Sequence, residues 1–184
     1  MSFEIILATI FFFMPAYLAN AVPPLLNRFK ILDCLSFPID NNRKIKEKEI
    51  FGAHKTWRGF LGIIFIGTLL MVLFFQLNNF FHLYEVLSFD YLNWNPFLFG
   101  FIFSLGVAFG DLLFAFIKRR LFLKPGAPFI PFDQTNYVFG VFILLQGFIN
   151  LELYFWLIIL IQTFIIHVLF NRIGYALGLH NAKW

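Results

Sequence analysis

Five stretches of this chain, about 3 to 22, 59 to 77, 97 to 117, 137 to 151 and 153 to 171, are almost continuously apolar. At 1.5 Å of rise per residue, a helix needs about 20 such residues to cross roughly 30 Å of hydrocarbon. Most of the five are long enough, and the fourth is short, so it would be less tilted or only partly spanning. The rest of the composition agrees: of 184 residues, 60% are hydrophobic and 13% charged, with 30 phenylalanines, which is far too apolar for a soluble domain. The expected fold is all-α, an integral membrane protein of about five transmembrane helices in one domain, 1–184, with no soluble module and no internal repeat.

Charge placement orients the bundle. The 14 Lys and Arg fall in three places: eight from Arg28 to Arg58, four from Lys118 to Lys124, and the pair Arg172 and Lys183. With five spans these places lie on one side, which the positive-inside rule makes the cytoplasm. The N-terminus is then outside, the C-terminus is cytoplasmic, and the cytoplasmic loops cover about 23–58 and 118–136. Ala19, Asn20 and Ala21 resemble a signal cleavage site, but Glu4 is the only charge ahead of the apolar run, so the first helix is read as retained. Cys34 is the single cysteine, which rules out an intramolecular disulfide.

The two loops read differently. The first opens with Pro23-Pro24 and contains RKIKEKE, Arg43 to Glu49, a mixed-charge run expected to be solvated surface. The second, LKPGAPFIPFDQTN from Leu123 to Asn136, carries Pro125, Pro128 and Pro131, which predict an extended, polyproline-like path in place of a helix. Phe129, Ile130 and Phe132 are nevertheless apolar, so this loop is expected to pack back against the bundle.

Of the ten acids, all but Asp111 and Asp133 fall in plain loops or at span ends. Asp111 lies seven residues before Lys118, about 10 Å along the axis and on nearly the same helix face. An ionisable group at that depth needs compensation. If the proline-rich loop folds back, Asp111 and Asp133 converge beneath a cluster of cations, and a pair of hard carboxylates suits Mg²⁺, whose remaining shell is water and substrate phosphate. The plainer alternatives are a structural ion pair between Asp111 and Lys118 or another cation, and a helix N-cap for Asp133. The cations sit in GAHKTWRG, Gly52 to Gly59, and IKRRLFLKPG, Ile117 to Gly126. Such groups suit phosphate oxygens, although basic residues also flank spans merely to set topology. His54 is read first as an incidental exposed histidine and second as a phosphate donor, and His82, His167 and His180 make no metal-ligand spacing. Asn20, in PAYLANAVP, is read first as a bridge between helices and second as a substrate contact.

Taken together, PAYLANAVP, the PID at Pro38 to Asp40, HKTWRG, GDLLFAFIKRR, the GAP followed by DQTN, and the C-terminal NRIGYALGLHNAKW resemble the CDP-archaeol synthases. These are small membrane cytidylyltransferases distantly related to phosphatidate cytidylyltransferase. The resemblance runs along essentially the whole chain. It implies a five-helix enzyme of the cell (inner) membrane, its active site facing the cytoplasm, that uses CTP and Mg²⁺ to activate a phosphorylated glycerolipid and releases pyrophosphate. The acceptor would be 2,3-bis-O-(geranylgeranyl)-sn-glycerol 1-phosphate or a phosphatidate-like lipid, and no nucleic-acid partner is expected. Carried over by motif, Asp111, Asp133 and Lys118 would be catalytic, with the two aspartates as metal ligands. Lys55, Thr56, Arg58, Lys118, Arg119, Arg120, Lys124 and Gln134 would bind CTP and its phosphates, and Asn20 and Asn136 are candidate substrate contacts. Two positions depart from the family pattern: Ala115 stands where a small hydroxyl residue is frequent, and Asn136 where a second acid is. Asn136 can offer a carbonyl but neutralises no charge. Outside this class, a small transporter with Asp111 in an ion path would be expected to show matched halves, which the five unlike spans lack. A non-catalytic binder of anionic lipid is the other alternative.

Overall fold

The computed structural model describes residues 3–87, 93–124 and 127–176. The first apolar run forms α1, Phe3–Asn20, and continues past Ala21 into a short α2, Val22–Arg28. Pro23-Pro24, expected to open a loop, sits in the first turn of α2, where a missing N–H removes no helical hydrogen bond. The first loop therefore begins after Arg28. It ends at Thr56, whose side chain accepts a hydrogen bond from the Gly59 amide (3.3 Å) and caps α3, Trp57–Phe81. Then follow α4, Pro96–Arg120, capped by Asn95; α5, Phe132–Ile149; and α6, Leu153–Ala176.

Among the described residues, four stretches combine the length and apolarity needed to cross a membrane: Phe3–Arg28, Trp57–Phe81, Pro96–Arg120 and Leu153–Ile173. The fifth long helix, α5, corresponds to the short fourth run but starts earlier than its apolar residues do. Helix begins at Phe132, so Asp133 to Asn136, read above as loop, are its first turn. That polar turn makes α5 less apolar than its neighbours and brings four polar side chains to one end of the bundle.

RKIKEKE is exposed surface from Arg43 to Lys48, as expected, and it is also regularly folded. Lys44–Ile45 (β1) and Lys48–Glu49 (β2) pair antiparallel across Lys46 and Glu47, both at positive φ, as the tight turn of a two-residue hairpin requires. The Arg120 guanidinium holds this hairpin through the carbonyls of Ile45 (2.7 Å), Lys48 (3.2 Å) and Glu49 (2.7 Å). The last residues of the C-terminal motif, 177–184, with the C-terminus expected to be cytoplasmic, lie outside the described residues, as do Asp90, Pro125 and Gly126.

The core is aromatic. Phe12, Phe13, Tyr84, Phe99 and Phe103 are fully buried and meet mostly edge to face, joining α1 to α4 and to the 3₁₀ turn Glu85–Leu87. Tyr17 and Thr163 share a 3.0 Å hydrogen bond that ties α1 to α6. The closest helix contact is between α4 and α5, where Gly106 and Gly110 face Gly140 and the backbone of Asn136 and Val141. A Cβ on Gly106 would stand 2.7 Å from the Val141 Cα, and one on Gly110 or Gly140 would run into backbone atoms of Asn136 or Gly106. Small residues let two membrane helices approach this closely, and here they set Asp111 beside the first turn of α5.

Candidate active site

On α4, Asp111, Phe114, Ala115 and Lys118 follow the i, i+3, i+4, i+7 spacing of one helix face and line a cavity of about 260 Å³. The polar first turn of α5 contributes Asp133 and Asn136, again one turn apart. Arg119 and the loop segment from Glu49 to Lys55 complete the wall. The two aspartates thus share one cavity, as the sequence predicted.

Each carboxylate already holds a cation, and Asp111 pairs with another cation in place of Lys118, one of the two partners the ion-pair reading allowed. Asp111 binds Lys55, whose ammonium lies 2.7 Å from both carboxylate oxygens, and Lys118 binds Asp133 at 2.9 and 2.8 Å. Lys118 also donates to the Ala127 carbonyl (2.8 Å), and the Phe129 amide donates to Asp133 (2.8 Å), so this pair fastens the proline-rich loop onto α4. Asp133 makes these bonds from within the first turn, and no side-chain capping bond forms at Pro131, the residue ahead of the helix. Asn136 turns its amide nitrogen to Asp111 (3.2 Å) and its oxygen to the Tyr137 amide (2.7 Å), so it offers Asp111 a donor and keeps its carbonyl for the backbone. The Asp111 and Asp133 side chains are 23% and 31% exposed, which leaves room for a ligand on each carboxylate.

The remaining candidates divide. Arg119 lines the cavity, and its buried Nε has no partner among the described residues. Arg120 is committed to the hairpin carbonyls. Lys124 is exposed past the end of α4, and Gln134 is buried within α5. Arg58 is buried and grips Asp33 and Asn27, each at 2.7 Å, beside a separate polar cavity of about 470 Å³ that Thr56 also lines. Asn20 is half-buried in a third cavity, of about 600 Å³ and mostly apolar, between α1, α5 and α6. Arg58→Met is expected to cost on the order of 1–3 kcal/mol, through two lost charge-assisted hydrogen bonds and lost packing. Asp33 is largely exposed and can solvate itself. A thermal melt in detergent reads this as a lower Tm, with turnover per folded molecule retained.

His54, read first as incidental, lines the main cavity and its polar neighbour, and two acids that the sequence left among plain loop residues also bear on the site. Glu49 lines the main cavity. Asp40, grouped above with plain loop acids, is buried and accepts hydrogen bonds from the amides of Asn42 (3.0 Å), Phe51 (2.9 Å) and Gly52 (3.1 Å). Burial acts to raise its pKa, but these amides outweigh it and hold the carboxyl below its ordinary value. Its signal was available: an acid just ahead of Asn41-Asn42 is the pattern of a side chain that organises a turn.

The family model described as CarS-like, CDP-archaeol synthase, matches residues 2–184. The CDP-archaeol synthase of Thermococcus gammatolerans is 34% identical over 176 residues, covering 95% of this chain and 94% of that protein. That of Pyrococcus furiosus is 32% identical over 180 residues, covering 97% and 98%. A solved structure described as an intramembrane enzyme for archaeal membrane lipids biosynthesis superposes with a TM-score of 0.72 over 90% of this chain and 94% of that one. At 21% identity that likeness speaks to the fold, and it agrees with an all-α integral membrane protein. The match to the family model and to these relatives runs nearly the whole length of the sequence, and the chain belongs to the CDP-archaeol synthase family.

Proposed function

We propose that this protein is a CTP-dependent cytidylyltransferase that converts a phosphorylated glycerolipid to its CDP-activated form, with 2,3-bis-O-(geranylgeranyl)-sn-glycerol 1-phosphate as acceptor. The observation that carries this reading is the single cavity holding Asp111 and Asp133 together with Lys55, Lys118 and Arg119. In the reaction an oxygen of the lipid phosphate forms a bond to the α-phosphorus of CTP. The bond from that phosphorus to the bridging oxygen breaks, and pyrophosphate leaves.

Two anions must meet, so catalysis here is chiefly alignment and charge neutralisation. Lys55, Lys118 and Arg119 supply donors and positive charge to phosphate oxygens. No strong base is required, because a phosphate monoester is already ionised. Asn136 steadies the Asp111 carboxylate from the α5 side.

The ionisable lining also bears on the metal. Glu49, Asp111 and Asp133 balance Lys55, Lys118 and Arg119 three against three, so the cavity alone has no net charge to offset a triphosphate and a lipid phosphate. Among the described residues no three or more His, Cys, Asp or Glu side chains cluster as a ready-made cage. Two carboxylates with room for phosphate oxygens and water fit Mg²⁺, and Asp111 and Asp133 would hold it. When bound, the ion would supply Lewis-acid neutralisation of phosphate charge. The basic loops at this end of the bundle support a site on the cytoplasmic face of the cell membrane.

The test uses purified protein with radiolabelled CTP, Mg²⁺ and a panel of ether- and ester-linked phosphorylated glycerolipids. Label is expected in the lipid fraction with stoichiometric pyrophosphate, strongest with the geranylgeranyl ether acceptor, and none after chelation of the metal. Label confined to CTP with every acceptor overturns the assignment.

A further inference from the structure

We propose that Asp40 is a positioning residue for Lys55: its buried carboxylate fixes the turn of backbone that presents the Lys55 ammonium to the cavity. This rests on the reading of Lys55 as a phosphate-facing cation.

Asp40 is 6% exposed and takes part in none of the ion pairs among the described residues. A buried carboxylate without a cation is costly unless hydrogen bonds satisfy it, and here three backbone amides do. Two of those amides belong to Phe51 and Gly52, both in the cavity wall. Gly52 sits at φ +105°, a conformation side chains rarely adopt, and its carbonyl accepts from the Lys55 amide (3.0 Å). The Asp40 carboxylate therefore holds the turn that holds the nitrogen of Lys55.

The other side of Lys55 is gripped by the residues just before Asp40. The Ile39 amide donates to the Lys55 carbonyl (2.8 Å), Pro38 bridges Thr56, and the Trp57 amide donates to Phe37 (3.2 Å). Segment 37–40 thus holds Lys55 directly at its carbonyl and, through Gly52, at its amide, in a long loop whose only other regular structure is one 3₁₀ turn and one small hairpin. The outcome is a lysine placed 2.7 Å from an acid on a helix 56 residues away.

Asp40→Asn is the near-isosteric test, because an amide has one acceptor oxygen for three N–H groups and turns its own donors toward them. The readouts are KM for CTP, kcat, Tm and the rate of Lys55 acylation measured by mass spectrometry, with exposed Lys44 as internal reference. The expected result is a KM for CTP raised on the order of 10- to 100-fold, with kcat changed less and Lys55 acylated faster relative to Lys44. In a Lys55→Met background Asp40→Asn should add nothing further to KM. Gly52→Ala strains the same turn independently and should raise Lys55 acylation too, which keeps the test open if Asp40→Asn fails to fold. Unchanged Lys55 acylation in the variant that folds, or losses that add fully in the Lys55→Met background, would overturn the positioning role. Wild-type turnover in Lys55→Met alone instead removes the reading of the site, while the acylation result still reports on Asp40.

Discussion

Asp111→Asn and Asp133→Asn are each expected to bring CTP-dependent formation of CDP-lipid to background, a loss on the order of 10³-fold or more for a group whose charge organises the transition state. The substitutions keep side-chain size and remove charge. In Asp111→Asn the Lys55 ammonium, 28% exposed, loses its counter-ion and turns toward water, so the protein should fold with a nearly unchanged Tm while the chemistry stops. Asp133 does more: it also holds Lys118 and the Phe129 amide, which fasten the proline-rich loop. Asp133→Asn should therefore lower Tm as well as turnover. Product formation by thin-layer separation, run beside a thermal melt of the same preparations, separates the two effects. Wild-type-like turnover in both variants would end the charge-based account of the site.

Gly140→Leu is expected to be the most disruptive change away from the cavity lining. A side chain at Gly140 meets the Gly106 carbonyl and the backbone of Gly110, and backbone cannot step aside as the end of a flexible side chain can. Overpacking of a tight core costs about 1–3 kcal/mol, and a clash with backbone belongs at or beyond the upper end of that range. Because α4 and α5 carry Asp111 and Asp133, pushing them apart should abolish activity along with stability. Gly147 is the control on the same helix: nothing lies within 4 Å of a Cβ placed there. Gly147→Ala is expected to gain roughly 0.5–1 kcal/mol from reduced backbone freedom in the unfolded chain. Melting temperatures in detergent that fall alike for both variants would remove the helix-crossing argument.

Much of the site was legible before folding was considered. Asp111, Ala115 and Lys118 share a helix face by spacing alone, and Asp133 stands out as an acid in apolar company. The partners were not legible. Lys55 and Arg58 look alike in HKTWRG, yet one faces Asp111 and the other is sealed against Asp33 and Asn27. Lys118 and Arg120 are two residues apart on one helix and so point in different directions, one to Asp133 and the other to the hairpin. Motif membership says that a cation is present and leaves its direction open. Prolines misled the boundary of α5 for a related reason: Pro131 does exclude a helix before it, but a helix can start on the next residue and take the polar DQTN as its first turn.

What the sequence determined by itself is the membrane bundle: the cost of placing polar groups in hydrocarbon adds up along each segment, so length and apolarity decide which runs become spanning helices. Only the tertiary structure decided which acid meets which lysine and that Asp40 is buried. Those outcomes depend on how closely α4 and α5 cross at their glycines and on how the loop before α3 folds back on itself, relations between residues far apart in the chain that no local pattern encodes.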